Sequence, residues 1–197
     1  MEIYFFDFDG TITKKDSFKE FIFFSKGYFL GYIIFSFVFP IFLVFKLFGL
    51  DTGILKEKII SFSFKNTCIT DFKNMCKEFN RVILPNLIKS SFQDYISKIN
   101  ISNSNVKISI VSASIEDYLL PWCLKNEFDL ISTRLEYEDG KITGRFLGKN
   151  CNGLEKVRKI KEKYDLKSFN EIFTFGDSEG DLEMLKLGTK QHYRFFK

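Results

Sequence analysis

The chain has 197 residues, 45% hydrophobic and 27% charged, which is enough apolar material to bury a full core; this excludes a disordered protein and allows one domain with a small insertion. Its 29 basic against 25 acidic residues give a net charge of +4. That bias is too mild for a nucleic-acid surface, and no nucleic-acid motif accompanies it, although it suits an anionic small molecule or a membrane face.

The first predicted element is a buried strand, Ile3-Tyr4-Phe5-Phe6, running out into Asp7-Phe8-Asp9-Gly10-Thr11. Residues two apart in an extended segment face the same way, so Asp7 and Asp9 can address one small electrophile together. Asp and Gly are also ordinary turn residues, and the pentapeptide by itself fits either reading.

From Lys14 to about Arg81 the sequence is long, predominantly apolar and rich in phenylalanine. It reads as a helical cap over residues 14–83, inserted into a core of residues 1–13 and 84–197, above the strand ends where open parallel sheets bind ligands. Within it, Gly27 to Phe45 contains nineteen residues without a charge, long enough for a transmembrane candidate. A single crossing would put Asp7 on one side of a bilayer and Ser112, Lys156 and Asp177 on the other. Pro40 predicts a break into two helices, Tyr28 to Phe39 and Ile41 to Leu50, each under about 20 Å at 1.5 Å per residue and too short to span. Helices apolar on every face need a cover: the cap's own core, a second subunit, or one membrane leaflet. The flanking Lys14, Lys15, Lys19, Lys26 and Lys46 suit an anionic lipid surface.

Val106 to Val111 predicts the second strand, followed by a helix starting near Ser114, with Asp117 completing a capping box. Ile131 to Phe146 reads as a hairpin turning at Glu138-Asp139-Gly140-Lys141. A helix is expected from Asn152 to Tyr164, with Leu154, Val157, Ile160 and Tyr164 on its apolar stripe. Glu171 to Phe175 predicts the third strand, and Ser178 with Asp181 a capped helix after it. Short apolar strands alternating with helices predict an α/β fold with a parallel sheet. Cys68, Cys76, Cys123 and Cys151 are widely spaced and lack histidine companions, so neither a zinc site nor a disulfide framework is expected. The expected setting is cytoplasmic. Glu2, Asp7 and Asp9 interrupt the N-terminal apolar stretch, so no signal peptide is read there.

In a parallel sheet all strands deliver their C-terminal ends to one edge, which brings Asp7, Asp9, Ser112 and Asp177 together, with Lys156 from the start of a helix. These are the parts of a phosphoryl-transfer site. Asp7 suits the nucleophile of an aspartyl-phosphate mechanism, and Asp9 the acid that protonates the leaving alkoxide and then the base that activates water. Asp177 suits a partner of Asp7 in holding Mg²⁺, and Ser112 and Lys156 suit the phosphoryl oxygens. Lys156 also stands in a basic run, with Lys149 as a competitor, and Asp181 fits a simple capping role as well as support for the metal or Lys156.

This order resembles the haloacid dehalogenase superfamily over nearly the whole chain. Asp7, Asp9 and Thr11 match its first motif, Ser112 its second, Lys156 its third, and Asp177 with Asp181 its fourth. The resemblance narrows to the phosphoserine-phosphatase-like branch, subfamily IB, through Val111-Ser112-Ala113-Ser114, Thr133-Arg134-Leu135-Glu136, Asp139-Gly140-x-x-Thr143-Gly144 and Cys151-x-Gly153-x-x-Lys156-Val157-Arg158. It implies a Rossmann-like core with a small inserted helical cap of the C1 type, Mg²⁺ dependence and phosphomonoester hydrolysis. By that likeness Asp7, Asp9 and Asp177 surround the metal, Thr11 joins Ser112 and Lys156 at the phosphate, and Ser178 and Asp181 stand behind them.

The chain departs from the phosphoserine phosphatases in its cap. They bind the substrate carboxylate with a cap arginine and its amine with a glutamate, whereas here no arginine precedes Arg81 and the comparable acidic position holds Asp16. Lys56 or Lys58 is the stand-in, without the bidentate fork of arginine. Gly180 replaces a further asparagine. The related bacterial phosphatidylglycerophosphate phosphatases carry similarly apolar caps, so the resemblance favours a lipid phosphate. Phosphoserine or another small soluble phosphate, a phosphomutase reaction, and a noncatalytic membrane-associated scaffold are the alternatives. The expected partners are therefore a phosphorylated small molecule or lipid, with the cap meeting the inner face of the membrane or a second copy of the chain.

Overall fold

The computed structural model describes residues 1–50, 52–99 and 105–196, apart from the side chain of Lys46, so the expectation for that lysine lies outside the described residues. The chain runs β1 (Glu2–Phe6), α1 (Ser17–Leu47), α2 (Gly53–Phe64), α3 (Ile69–Val82), α4 (Leu84–Leu87), α5 (Ser90–Ile96), β2 (Val106–Ile115), α6 (Glu116–Lys125) and β3 (Asp129–Thr133). It continues through β4 (Leu135–Glu138), β5 (Lys141–Phe146), α7 (Leu154–Lys163), β6 (Glu171–Gly176), α8 (Leu182–Leu185) and β7 (Lys190–Tyr193).

Five parallel strands form one sheet in the order β3-β2-β1-β6-β7, with Phe6 of β1 in register with Ile110 of β2 and Phe175 of β6. The chain winds outward from β1 in one direction and then in the other, so β1 marks the switch point where such sheets open a crevice. Strand parity divides the core. Tyr4 and Phe6 face a large cluster with α6 and the cap, whereas Ile3 and Phe5 pack with Ile160, Tyr164 and Met184 on the other face.

The β4–β5 hairpin is narrower than the sequence suggests, because Ile131 to Thr133 belongs to β3 of the main sheet. Its turn is where expected: Asp139 and Gly140 both take positive φ, the geometry that matches the twist of two-residue hairpins. The hairpin docks on the cap, with the amide of Asn66 on the Ile142 carbonyl and the amide of Ile69 on that of Gly140. Cap and core residues share one apolar cluster, so the insertion is packed into the domain.

Three local expectations are corrected. β2 extends through Ser114 to Ile115, past a register shift against β3, so Ser114 is a buried strand residue and caps no helix. In α7, Leu154 is 72% exposed while Lys156 and Ile160 are buried. Leu154 begins the helix directly after Gly153, and the face turned to the sheet is set by the positions of Lys156 and Ile160, four residues apart. In α1 the helical path breaks at Gly27 and continues through Pro40. Gly27 has φ 76° and ψ 160°, a conformation open to glycine alone, while one proline costs the helix a hydrogen bond without forcing it to end. The arm from Tyr28 to Leu47 is therefore a single rod of about 30 Å. It folds back on the first half of α1: Phe23 lies against Gly31 and meets the Phe35 ring at a tilt, centres 5.5 Å apart, and the Lys19 ammonium sits 5.8 Å from the centre of the Phe35 ring.

Candidate active site

β1, β2 and β6 run side by side, and each supplies a motif at or just past its C-terminal end. Asp7 extends β1 by one rung, its amide donating to the Phe175 carbonyl at 2.9 Å. Its Oδ1 accepts from Lys156 Nζ at 2.5 Å, and the same ammonium reaches Asp181 Oδ1 at 2.6 Å. Lys156 is 1% exposed. Of the competing basic residues, this is the one buried among the carboxylates.

The two carboxylates that share the lysine are not equivalent. Asp181 Oδ2 also accepts from the Ser178 hydroxyl at 2.6 Å and from the Ser178 and Asp177 amides at 3.0 and 3.2 Å. Burial favours the neutral form of Asp181, but Lys156 and these donors outweigh it and hold the carboxyl below its usual range. Ser178 and Asp181 thus form the predicted capping box. Asp7 has fewer donors, and burial pushes it up to about 7 against the pull of Lys156. For Lys156 itself burial acts downward, but Asp7 and Asp181 together keep it protonated.

Asp177 comes off the end of β6. Thr11, expected at the phosphate, places its hydroxyl on Asp177 Oδ1 at 3.0 Å and so orients that carboxylate. Gly10, at φ 84°, lies so close that a Cβ there would sit 2.4 Å from Asp177 Oδ2. A side chain at position 10 would displace the carboxylate. Burial raises Asp177 above the ordinary carboxylate range, with the Thr11 hydroxyl opposing. Asp7, Asp177 and Asp181 present oxygens within 4.8 Å of one another, a hard-oxygen cluster of the kind that suits Mg²⁺. Asp181 is already saturated by Lys156 and Ser178, so Asp7 and Asp177 are the pair that would hold the ion.

Asp9, expected among the metal ligands, turns its side chain elsewhere. Its Oδ1 accepts the Ser17 amide at 2.7 Å, at the N-terminus of α1, and its Oδ2 accepts the Ser114 hydroxyl. Ser114 and Tyr118 both meet the Ser17 hydroxyl at 3.2 Å, which makes a buried chain of hydroxyls behind the carboxylate. Burial raises Asp9, Asp16 adds to this, and Lys56 opposes it. A carboxyl poised this way can carry a proton to a leaving group. Ser112 is 1% exposed and its Oγ accepts the Ser114 amide at 3.0 Å, which directs the hydroxyl proton elsewhere.

Sequence reasoning missed Ser114, Ser17 and Thr133 as parts of the site. Ser114 was legible by the rule that pairs Asp7 with Asp9, since it follows Ser112 by two residues on one strand. Thr133 ties the loops together: its hydroxyl meets the Ala113 carbonyl at 3.0 Å and Asn150 Oδ1 at 3.1 Å, and receives the Cys151 amide at 3.0 Å.

A cavity of about 380 Å³ opens at this edge. Asp16, Lys19, Lys56, Ala113 and Asn152 form its polar side, and Phe35, Val38, Phe39 and Phe42 of the α1 arm form an apolar wall. Lys56 Nζ donates to the Ala113 carbonyl at 3.0 Å, one residue from Ser112. Asp16 also caps α1, accepting the Lys19 amide at 2.9 Å. Lys58 is exposed and does not line the cavity. A larger cavity of about 650 Å³, between α3, α6 and β4, is lined by Arg134, Leu135 and Glu136; neither cavity is lined by Asp7, Asp9, Ser112, Lys156 or Asp177, and the smaller one reaches them only through Ala113 beside Ser112.

Comparison with known proteins agrees with this fold. The chain is 29% identical over 198 residues to protein CicA of Caulobacter vibrioides, covering 98% of this chain and 85% of the relative. Its fold matches a protein with unknown function from Bordetella pertussis Tohama I at a TM-score of 0.78 and 20% identity, over 95% of this chain and 87% of that one. It also matches a phospho-aspartyl intermediate analogue of phosphoserine phosphatase at 0.65 and 18%, over 94% and 82%. At these identities the solved structures establish the fold. Residues 4–186 match the family model of the haloacid dehalogenase-like hydrolases, and the chain belongs to that family.

Proposed function

We propose that the chain is a Mg²⁺-dependent phosphomonoester phosphatase working through an aspartyl-phosphate on Asp7, and that its substrate is a lipid phosphate, of which phosphatidylglycerophosphate is an example. The observation that carries the chemistry is the buried Asp7 held by Lys156 beside Asp177 and Asp181. A likeness to the phospho-aspartyl form of phosphoserine phosphatase supports the same assignment.

In the first step an Asp7 oxygen attacks phosphorus, the bond from phosphorus to the ester oxygen breaks, and Asp9 gives its proton to the departing alkoxide. In the second, Asp9 takes a proton from water, the resulting hydroxide attacks phosphorus, and the acyl-phosphate bond breaks to free Asp7 and orthophosphate. Ser112 and Lys156 hold the phosphoryl oxygens through both steps. Asp7 and Asp177 would hold Mg²⁺, which when bound would supply the positive charge that lets an anionic nucleophile meet an anionic ester.

The mouth cavity supports the substrate class. One side offers Lys19 and Lys56, and the other a wall of phenylalanines, so it suits a molecule with an anionic head and an apolar tail. A panel of lipid phosphates, phosphoserine, sugar phosphates and an aryl phosphate, each with and without Mg²⁺, tests both parts. Mg²⁺-dependent release of free phosphate, fastest from the lipid phosphates, is expected. Preference for phosphoserine defeats the substrate assignment, and an isomerised sugar phosphate without free phosphate indicates a mutase.

A further inference from the structure

We propose that the arm of α1 from Tyr28 to Leu47, with the turn after it, is an interfacial anchor that seats in one leaflet of an anionic lipid bilayer and holds the mouth cavity against the headgroups. The lipid-phosphate reading gives this position its use, but docking itself engages none of the catalytic residues. From Tyr28 to Phe45 the arm carries no charge on any face, and only its inner face, through Gly31 and Ile34, is buried. Outward, Phe29 is 82% exposed, Phe37 75%, Leu47 81% and Phe48 70%, and no charged residue interrupts positions 27–45. A surface helix of a water-surrounded domain carries a polar outer face, and this one does not.

Three observations favour lipid as the cover over a second copy of the chain. Cations border the arm: Lys26 precedes the Gly27 turn and Lys19 lies over the Phe35 and Phe23 rings, while the exposed Tyr28 and Tyr32 pack on Phe23, a set that matches an anionic headgroup layer. The arm also walls the mouth cavity with Phe39 and Phe42, so a protein partner packed along it would cap the entrance, whereas a leaflet would face it. Finally, β1 pairs with both β2 and β6, so the chain before and after the arm stays on one side of any bilayer. The rod is long enough to cross but is held to lie in the interface.

The test is co-sedimentation with vesicles of phosphatidylcholine, alone or mixed with phosphatidylglycerol, using wild type, Asp7→Asn and the triple variant F29E/F37E/F48E. Wild type and Asp7→Asn are expected to pellet together, more strongly on the anionic vesicles and less as salt is raised. The triple variant is expected to bind at least tenfold more weakly while hydrolysing a soluble aryl phosphate at the wild-type rate, since none of its three sites lines the cavity. The proposal is overturned if wild type stays in solution with both vesicles, if anionic lipid makes no difference, or if the triple variant pellets equally. A lipid-free dimer that the triple variant dissociates, with vesicles left bare, overturns it in favour of a second copy. Failure of the phosphatase reading would appear separately, as an inactive wild type that still pellets.

Discussion

Replacing Lys156 with methionine keeps most of the side chain's volume and removes its charge. In the native protein this ammonium lies 2.5 Å from Asp7 and 2.6 Å from Asp181, with all three groups buried. Taking one member from such a cluster costs about 3–5 kcal/mol when the remaining charges stay ionised. They need not stay so. Asp7 already sits at about 7 because burial outweighs the lysine, and without the lysine its folded-state value rises further. A carboxyl raised in the folded state binds a proton that the unfolded chain has released, so it costs stability at high pH and that cost fades as pH falls through the folded value. Each pH unit below it returns about 1.4 kcal/mol, until the unfolded range near about 4 is reached. Wild type itself gains stability below about 7, so the loss in Lys156→Met relative to wild type should be larger at about pH 8.5 than at about pH 5.5, by about 1.4 kcal/mol for each pH unit that its Asp7 lies above the native value. Urea unfolding of both proteins at both pH values in EDTA measures this. An equal loss at the two pH values would refute the claim that the lysine acts through charge, leaving only packing.

Three further outcomes follow from the same geometry. Ser114→Ala removes the hydroxyl that donates to Asp9, and should lower kcat by about 10–100-fold with little change in KM, as loss of a supporting hydrogen bond does; unchanged steady-state kinetics would exclude a role for the hydroxyl chain. Gly10→Ala puts a methyl group 2.4 Å from Asp177 Oδ2 and forces an unfavourable φ, so calorimetric Mg²⁺ affinity should fall by about 10–100-fold with a stability loss of about 1–3 kcal/mol. Because Mg²⁺ must displace the proton that Asp7 holds below about 7, its apparent affinity should drop with each pH unit under that value, by about tenfold, and level off above it.

How much of this was legible in the sequence depended on whether a local rule governed the residue. Asp7 and Asp177 follow short apolar strands and Ser112 lies near the end of another, and a parallel sheet brings such ends to one edge whatever the intervening chain does. Ser178 and Asp181 obey a capping rule that spans three residues, and they take that arrangement in the structure. The misreadings occur where tertiary context overrides propensity. Ser114 has the composition of a cap but is drawn into β2, where its hydroxyl meets Asp9. Pro40 looks like the break in α1, yet the steric freedom of Gly27 decides where the chain turns, because only there must the backbone leave the helical region to lay Phe23 on Gly31. The roles of the carboxylates were assigned from the sequence, but the charge state that each one holds was not visible. It depends on how many donors each one meets, and those donors come from positions scattered over the whole chain.

The central claim is that Asp7 is phosphorylated during turnover. Acid quenching of the protein during hydrolysis of an aryl phosphate with Mg²⁺, followed by mass spectrometry of its peptides, tests this directly. The account predicts a phosphoryl group on Asp7, absent from Asp7→Asn and from wild type without the metal. A phosphoryl group on Asp9 or any other residue, or full-rate hydrolysis by Asp7→Asn, would contradict it.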